Sequence, residues 1–300
     1  MFQDRDIICF FGDSITANGL WMAEVYQTLR KKHRVKCYNC GVSGATAQKA
    51  LLYLHSQCLI YNPDYVVMMF GINDIRRDLY TENYSDDQQI QALKEQALQE
   101  HKAAYEELVR QTIVSGAKVI LCCAVPYDDV NKKEEYNLRC QIALDESSAF
   151  LQSLAKKYDC HLVDFKTVMQ SMLAKRDIIG ADRVHPTPEG HHIMAQIFLN
   201  DIGEQAGCDF DTPFVWEQWN RERYDAEQEL ILVNFIEYCM LLKEGYVENK
   251  SYEERKKIAA QRYENYEDKT NVLPMAYREY IKKIDGYNSY IGEIVKRTVF

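Results

Sequence analysis

The stretch from Ile7 to Phe11 is an unbroken apolar run that ends at Gly12, Asp13 and Ser14. Such a run is typical of a strand in a parallel sheet covered on both faces, because a half-exposed strand would alternate apolar and polar residues. Gly12 permits a tight reversal, and Asp13 or Ser14 can cap a following helix. Ser14 is therefore predicted at the carboxyl end of a first strand, where open α/β sheets bind ligands.

Further apolar runs follow the first, and amphipathic segments separate them. The predicted strands are Ile7 to Phe11, Val35 to Asn39, Tyr65 to Phe70, Lys118 to Val125 and His161 to Asp164. The predicted helices between and after them are Leu20 to Lys32, Ala47 to Leu59, Asp87 to Ser115, Glu134 to Lys157 and Pro188 to Leu199. This alternation predicts an α/β fold, a three-layer α/β/α sandwich with a five-stranded parallel sheet.

A serine at the end of a first strand is most often a helix cap, so a role as nucleophile depends on partners elsewhere. Asp182 and His185 stand three residues apart, and Pro186 favours an extended conformation at the preceding histidine. An aspartate so placed can turn back to the imidazole and fix the tautomer that acts as a base. Alone, such a pair is more often two surface loop residues, but together with Ser14 it indicates nucleophilic catalysis.

Glycine turns also follow the second and third predicted strands. They are Gly41-Val42-Ser43-Gly44 and Gly71-Ile72-Asn73-Asp74. Acyl transfer requires hydrogen-bond donors at the point where the oxyanion forms. The N–H groups of Ser14 and Gly44 and the side-chain amide of Asn73 can supply three such donors from three strand ends. Gly41 competes with Gly44 for the turn position.

These segments together resemble the four sequence blocks of the SGNH (GDSL-type) hydrolases. The matching residues are Gly12-Asp13-Ser14-Ile15, the Gly44 turn, Gly71-x-Asn73-Asp74 and Asp182-x-x-His185-Pro186, within a resemblance that covers about residues 5 to 203. Ile15 stands where the older family name has leucine. The resemblance implies the SGNH-hydrolase, flavodoxin-like version of the sandwich. It further implies Ser14 as nucleophile, His185 as general base and Asp182 as its orienting carboxylate, with an oxyanion hole formed by Ser14, Gly44 and Asn73.

Other α/β site classes lack their motifs in this chain. A dinucleotide-binding unit requires G-x-G-x-x-G after the first strand, which Gly12-Asp13-Ser14 does not provide. A lipase-type α/β-hydrolase requires G-x-S-x-G, and the nearest string, Gly41 to Ala45, ends in alanine. A flavodoxin-like phosphate binder could use the same strand-end serines, but it would not need Asp182 and His185.

Three residues beside the predicted site are candidates for substrate contact. Asp13 adjoins Ser14, Arg76 follows the Asn73 turn, and Tyr127 follows the fourth strand. The charged stretch that begins at Arg76 also fits a solvated helix start, which is the usual place for a charge run.

Composition narrows the classes of partner. A net charge of −9 argues against nucleic acid or an anionic membrane as a general partner. For a hydrolase of the family that the chain resembles, this leaves a small-molecule ester as the expected substrate. Ten cysteines, several inside predicted strands, are interpreted as free thiols in a reducing compartment. Cys37-x-x-Cys40 has no second Cys/His pair at zinc-ligand spacing, so no metal or other cofactor is expected. If Met1 is the natural start, the absence of a signal segment predicts a cytoplasmic protein.

The last ninety or so residues differ in character from the α/β region. Their pattern predicts three helices, Trp216 to Lys243, Tyr252 to Tyr266 and Ala276 to Arg297. The apolar segment Leu230 to Leu242 is too short to span a bilayer. We therefore predict a hydrolase domain over 1–207 and a helical extension over 208–300, packed on that domain or at a homodimer interface.

The predicted function is a serine esterase that cleaves a small ester. The family that the chain resembles includes carbohydrate deacetylases, so the resemblance implies the O-acetyl group of a sugar or oligosaccharide as the expected substrate. The same residues would serve a lysophospholipase or thioesterase acting on a longer acyl chain. A non-catalytic interaction module that works through the helical extension is the alternative from a different class.

Overall fold

The computed structural model describes residues 1–80, 87–130 and 140–219, and five parallel strands within them form one sheet. The strands are β1 (Ile7–Gly12), β2 (Lys36–Asn39), β3 (Tyr65–Met69), β4 (Lys118–Cys122) and β5 (His161–Val163). Their order in the sheet is β2-β1-β3-β4-β5, and all four neighbouring pairs are parallel. In this order the direction of strand addition reverses between β1 and β3. The crevice outside the carboxyl ends of those two strands is where such sheets bind ligands.

The two faces of the sheet are buried against different helices, as the unbroken apolar runs predicted. Successive side chains of a strand point to opposite faces, so Phe10 lies on one face of β1 and Phe11 on the other. Phe10 packs edge-on against Trp21, with the ring centroids 5.1 Å apart, and Trp21 contacts Phe198 in turn. On the opposite face Phe11 meets Phe70 at 5.3 Å. The three-layer sandwich is therefore confirmed.

The helices lie in two layers around this sheet. They are α1 (Ser14–Asn18), α2 (Leu20–Leu29), α3 (Ala47–Ala50), α4 (Leu54–Gln57), α5 (Gln88–Val114), α6 (Gln141–Tyr158), α7 (Phe165–Gln170) and α8 (Pro188–Asp201), with 3-10 turns at Leu59–Tyr61 and Arg77–Leu79. Helices α2, α7 and α8 cover the face that carries Phe10, and α3 to α6 cover the face that carries Phe11. None of the helices in the described ranges is long and apolar enough to cross a bilayer.

The structure differs from the sequence predictions in two helical segments. The single helix predicted from Ala47 to Leu59 is wrong, because α3 and α4 are separated at Tyr53, whose backbone (φ −129°, ψ 10°) is not helical. The ring of Tyr53 packs edge-on against Phe11 at 5.9 Å, so tertiary packing prevails over local helix propensity. The short helix α7 was not predicted at all. Asp164 caps it by accepting from the Thr167 N–H at 2.9 Å.

The remaining helix predictions lie partly outside the described residues. The predicted start of α6 at Glu134 falls in 131–139, and the described helix begins at Gln141. Of the predicted C-terminal helices, only residues 216–219 are described, and they are helical. The rest of 220–300, including the predicted dimer interface, lies outside the described part of the chain.

Candidate active site

Ser14 occupies the sharp turn between β1 and α1. A side chain at Gly12 would place its Cβ 2.3 Å from Thr16 Oγ1 and 2.6 Å from the Met69 carbonyl oxygen, so only glycine fits where the turn begins. The Asp13 carboxylate caps α1 by accepting from the Ile15 N–H at 3.0 Å. Ser14 is then the first residue of the helix, partly exposed, with its N–H among the first-turn donors that lack an intrahelical acceptor.

The His185 ring connects Ser14 to Asp182. Ser14 Oγ lies 2.7 Å from His185 Nε2, although the two residues are 171 positions apart in the chain. On the other side of the ring, Nδ1 contacts Asp182 Oδ2. The exposed fractions of the His185 and Asp182 side chains are 47% and 52%, so the group opens to solvent. A hydroxyl, an imidazole and a carboxylate in this order can generate an alkoxide nucleophile.

The loop that carries Asp182 and His185 is held by its own backbone. The Gly180 N–H donates to the His185 carbonyl at 2.7 Å, and the Arg183 N–H donates to the Gly180 carbonyl at 2.9 Å. Arg183 adopts the left-handed conformation (φ 66°), which returns the chain toward Asp182. The Asp182 Oδ1 accepts from the N–H groups of Val184 and His185, both at 3.0 Å.

These contacts determine the protonation of Asp182. Partial burial acts to raise the pKa of its carboxyl, but the hydrogen bonds from the His185 ring and from the two backbone N–H groups outweigh it. The net effect lowers the pKa of Asp182 below its ordinary value. The carboxylate is therefore charged at neutral pH and can stabilise an imidazolium beside it.

Gly41 and Gly44, the two glycines of the turn after β2, disfavour a side chain for different structural reasons. Gly41 lies against α1, where a Cβ would stand 2.3 Å from the backbone nitrogen of Ala17. Gly44 adopts φ +73° in open surroundings at the exposed tip of the turn. Asn73 reaches this turn from the end of β3, and its Nδ2 donates to the Ala45 carbonyl at 3.0 Å. One proton of the Asn73 amide therefore fixes the side chain, and within the described residues the second makes no hydrogen bond.

Asp13, which precedes Ser14 in the chain, is buried, with 2% of its surface exposed. The pKa of its carboxyl is raised to about 7. Burial is the largest cause, and the nearby charge of Asp74 acts in the same direction. The Ile15 N–H and the charges of His185 and Arg77 act in the opposite direction. The Asp13 carboxyl, next to Ser14 in the chain, therefore titrates near neutral pH.

The other two candidates for substrate contact lie in unlike surroundings. The exposed Arg76 forms a two-pronged ion pair with Asp78, in which Nε lies 2.9 Å from Oδ1 and Nη2 lies 2.7 Å from Oδ2. Tyr127 is 2% exposed and packs among apolar side chains, with its N–H donating to Gln141 Oε1 at 2.9 Å. Substrate contact by Asp13, Arg76 and Tyr127 therefore stays a prediction.

Two further side chains lie near Asp13, and sequence reasoning overlooked one of them, Tyr53. Arg77, rather than Arg76, lies close enough to lower the pKa of Asp13. Burial raises the pKa of Tyr53, and the charges of Asp13 and Asp74 raise it further, which places the Tyr53 hydroxyl in the same neighbourhood. Arg77 belongs to the charged run after the Asn73 turn, which the sequence already made a candidate for the mouth of the site. Nothing in the sequence marked Tyr53.

A cluster of thiols lies in the core behind the Gly41 turn. The sulfur atoms of Cys9, Cys40 and Cys58 are within 4.8 Å of one another, and all three residues are buried. The Cys9 thiol donates to the Cys58 carbonyl at 3.6 Å, and the Cys40 thiol donates to the Tyr38 carbonyl at 3.8 Å. Burial raises the pKa of Cys9 and of Cys58. At Cys40 burial acts in the same direction, but the hydrogen bonds with the Cys58 and Cys9 thiols outweigh it and lower the pKa of its thiol to about 6. Cys37 does not belong to this cluster.

The chain matches a protein-family model and is similar to known proteins. The model of GDSL-like Lipase/Acylhydrolase matches residues 8–198. An acetylxylan esterase from Geobacillus stearothermophilus is 24% identical over 218 residues, which cover 65% of this chain and 93% of that protein. An acetylxylan esterase from Xylanibacter ruminicola is 28% identical over 148 residues, 48% of this chain. This chain matches only 29% of the length of that second protein.

Solved structures share the fold. The structure of the Geobacillus stearothermophilus acetylxylan esterase matches with a TM-score of 0.56 at 23% identity, covering 69% of this chain and 98% of that one. A gut microbial diltiazem-metabolizing enzyme matches with a TM-score of 0.55 at 20% identity, covering 68% of this chain and 48% of that one. At these identities the likeness concerns the architecture of the sheet and its helices.

Proposed function

The chain belongs to the GDSL-like lipase/acylhydrolase family, and we propose that it is a serine esterase that removes an acetyl group from a sugar or oligosaccharide. The observation that carries the mechanism is the contact chain from Ser14 Oγ through His185 to Asp182, which begins with the 2.7 Å separation from Nε2. The substrate class is supported by the two acetylxylan esterases to which the chain is similar.

In the proposed reaction Ser14 Oγ attacks the ester carbonyl carbon while His185 Nε2 accepts the hydroxyl proton. The charged Asp182 stabilises the imidazolium that results. Collapse of the tetrahedral intermediate breaks the bond to the alcohol oxygen, and the imidazolium protonates that oxygen as the sugar leaves. His185 then removes a proton from water, which attacks the acyl-enzyme carbonyl. The bond to Ser14 Oγ breaks, acetate leaves, and the imidazolium returns the proton to Oγ.

The oxyanion of each intermediate forms beside the turns that follow β1, β2 and β3. In the proposed site the N–H groups of Ser14 and Gly44 and the free proton of the Asn73 amide donate to it. The support for Gly44 is its left-handed backbone at the exposed tip of its turn, and the support for Asn73 is its hydrogen bond to Ala45. Donors fixed in place before the reaction stabilise the developing charge without having to reorganise.

We also propose that residues 208–300 form an extension that packs on the hydrolase domain, 1–207. The support comes from the first residues of that extension. The ring of Phe214 lies 5.6 Å from that of His192 on α8, and Trp219 Nε1 donates to Glu24 Oε2 on α2 at 2.6 Å. The cytoplasmic location stays a prediction.

The decisive experiment compares Ser14→Ala with Ser43→Ala on 4-nitrophenyl acetate and on acetylated xylooligosaccharides. Ser43 is the matched control, since it is a serine on the neighbouring exposed turn. We expect Ser14→Ala to lower kcat by about 10⁴-fold or more, because removal of the nucleophile ends covalent catalysis. Ser43→Ala should retain turnover, and a fluorophosphonate probe should label the wild type and Ser43→Ala only. Turnover or labelling that survives in Ser14→Ala would refute the mechanism.

An acyl series from C2 to C12 tests the substrate separately. Activity that is highest at C2 and on acetylated sugars supports the proposal. Activity that is highest at C8 or above would favour a lysophospholipase or thioesterase, and the absence of both hydrolysis and labelling would favour an interaction module.

A further inference from the structure

A second set of serine, histidine and aspartate side chains lies wholly inside the protein. Asp74 follows β3, His101 lies on α5 and Ser147 lies on α6, and their exposed fractions are 6%, 1% and 3%. Ser147 Oγ lies 2.8 Å from His101 Nε2, and His101 Nδ1 lies 3.0 Å from Asp74 Oδ1. Polar groups are costly to bury unless they have partners, so a buried set of this size calls for an explanation.

The chemistry of the imidazole decides where its proton lies. A neutral ring carries one proton, and a proton on Nδ1 faces the Asp74 carboxylate while Nε2 accepts the Ser147 hydroxyl proton. Within the described residues Nδ1 has no aligned hydrogen-bond acceptor, so its 3.0 Å contact with Oδ1 acts mainly through charge–dipole attraction. This attraction holds the carboxylate against α5.

Asp74 in turn connects the two turns that bear proposed oxyanion donors. Its Oδ1 accepts from the N–H of Ala47, the first residue of α3, at 2.7 Å. The preceding residue, Asn73, donates to Ala45 at 3.0 Å. Adjacent side chains of the β3 turn therefore hold both ends of the segment that follows Gly44.

The histidine and serine also support the β3 turn from beneath. Gly71, at the start of that turn, has φ +143°, and a Cβ there would stand 3.7 Å from Ser147 Oγ. One helical turn beyond His101, Tyr105 donates its hydroxyl proton to the Met68 carbonyl on β3 at 2.9 Å. The rings of His101 and Tyr105 meet edge-on at 5.5 Å, so α5 is fixed to β3 at this level.

From this arrangement we infer that His101 is a positioning residue, which acts through Asp74 to hold the Asn73 amide and the Gly44 turn where the oxyanion forms. The inference rests on the proposed function. His101 touches neither Ser14 nor His185 within the described structure. Its effect on the reaction is therefore indirect and concerns the placement of donors, which is a sensitive quantity in catalysis.

Two substitutions distinguish this positioning role from simple packing. Each replaces the imidazole by an amide that can reproduce only one of its two polar contacts. His101→Asn places an amide N–H near the position of Nδ1, where its dipole can face the Asp74 carboxylate. His101→Gln places its amide near the position of Nε2, reaches Ser147, and leaves the carboxylate without that partner. We expect His101→Gln to lower kcat by about 10–100-fold with little change in KM, and His101→Asn to stay within about 3-fold of wild type.

A readout independent of turnover accompanies the kinetics. Amide hydrogen exchange at Ala47 should be faster in His101→Gln than in His101→Asn, because only the former loosens the carboxylate that accepts from this N–H. Equal exchange rates in the two variants, or equal kcat values in an active enzyme, would overturn the inference. A wild type that hydrolyses no ester would refute the proposed function, and the exchange comparison would still decide the role of His101.

Discussion

Replacing Asp13 by asparagine should stabilise the protein above pH 7 and change its stability little near pH 4. The Asp13 carboxyl is 2% exposed and accepts one hydrogen bond, from the Ile15 N–H. Burial is the main cause that raises its pKa from 3.8 to about 7. Asparagine has nearly the same shape and caps helices about as well as aspartate, so the substitution removes the charge and retains the cap.

The sign and size of the effect follow from proton linkage. Between pH 3.8 and about 7 the folded protein keeps the Asp13 proton while the unfolded chain has lost it. The folded state then binds more protons, so the free energy of unfolding falls as pH rises through this window and levels off above it. At 1.36 kcal/mol per pKa unit, wild type loses about 4 kcal/mol of its free energy of unfolding across this window. Asp13→Asn has no carboxyl at this position and does not undergo this loss. Any cost of burying the asparagine amide is independent of pH. The quantity to measure is therefore the slope, against pH, of the difference in free energy of unfolding between the variant and wild type.

Urea unfolding followed by circular dichroism at pH 5, 6, 7 and 8 provides the assay. The stability difference between Asp13→Asn and wild type should grow by about 1 kcal/mol per pH unit up to pH 7 and then stay constant. Asp87→Asn is the matched control, because Asp87 also caps a helix, α5, but is exposed. Its curve should run parallel to that of wild type. Parallel curves for Asp13→Asn and wild type between pH 5 and 7 would refute the reasoning.

The remaining predictions concern the two donor turns. Asn73→Ala should lower kcat on an acetyl ester by about 10²–10³-fold with a smaller effect on KM, and an unchanged kcat would remove Asn73 from the oxyanion hole. In urea unfolding, Gly41→Ala should cost about 3 kcal/mol, because its Cβ would meet the Ala17 backbone at 2.3 Å. Gly44→Ala should cost only about 1 kcal/mol, since it has open space and a left-handed backbone. Equal losses for the two glycines would contradict their assigned roles.

The sheet was predictable from sequence because each strand carries its own signal. An apolar run such as Ile7 to Phe11 requires cover on both faces wherever it lies in the fold, and all five predicted strands are present. Helix boundaries depended more on distant contacts. The break at Tyr53 follows from its packing on Phe11, a residue far away in the sequence, and no local pattern encodes it.

In the candidate site, too, local contacts were predictable from the sequence and contacts between distant segments were less so. The pairing of Asp182 with His185 was accessible because three residues separate them on one loop. Their approach to Ser14 spans the whole α/β region. The combination of the three residue types suggested it, and the resemblance of four ordered blocks made it a specific prediction. His101 belongs to no block and lies inside a long helix, where a histidine is an ordinary residue. Its contacts with Asp74 and Ser147 arise only when α5 and α6 pack beneath the β3 turn.

The anchoring of Trp219 on Glu24 has a practical consequence for spectroscopy. Of the three tryptophans in the chain, Trp21 lies in the core and is fully shielded, whereas Trp216 and Trp219 lie on the segment that follows α8. Trp219 donates to a carboxylate and is 8% exposed, so its emission should shift to the red when this segment detaches. Trp21 should respond only when the sandwich itself opens. Fluorescence of variants that retain one indole at a time can therefore distinguish release of the C-terminal segment from global unfolding, without any added label.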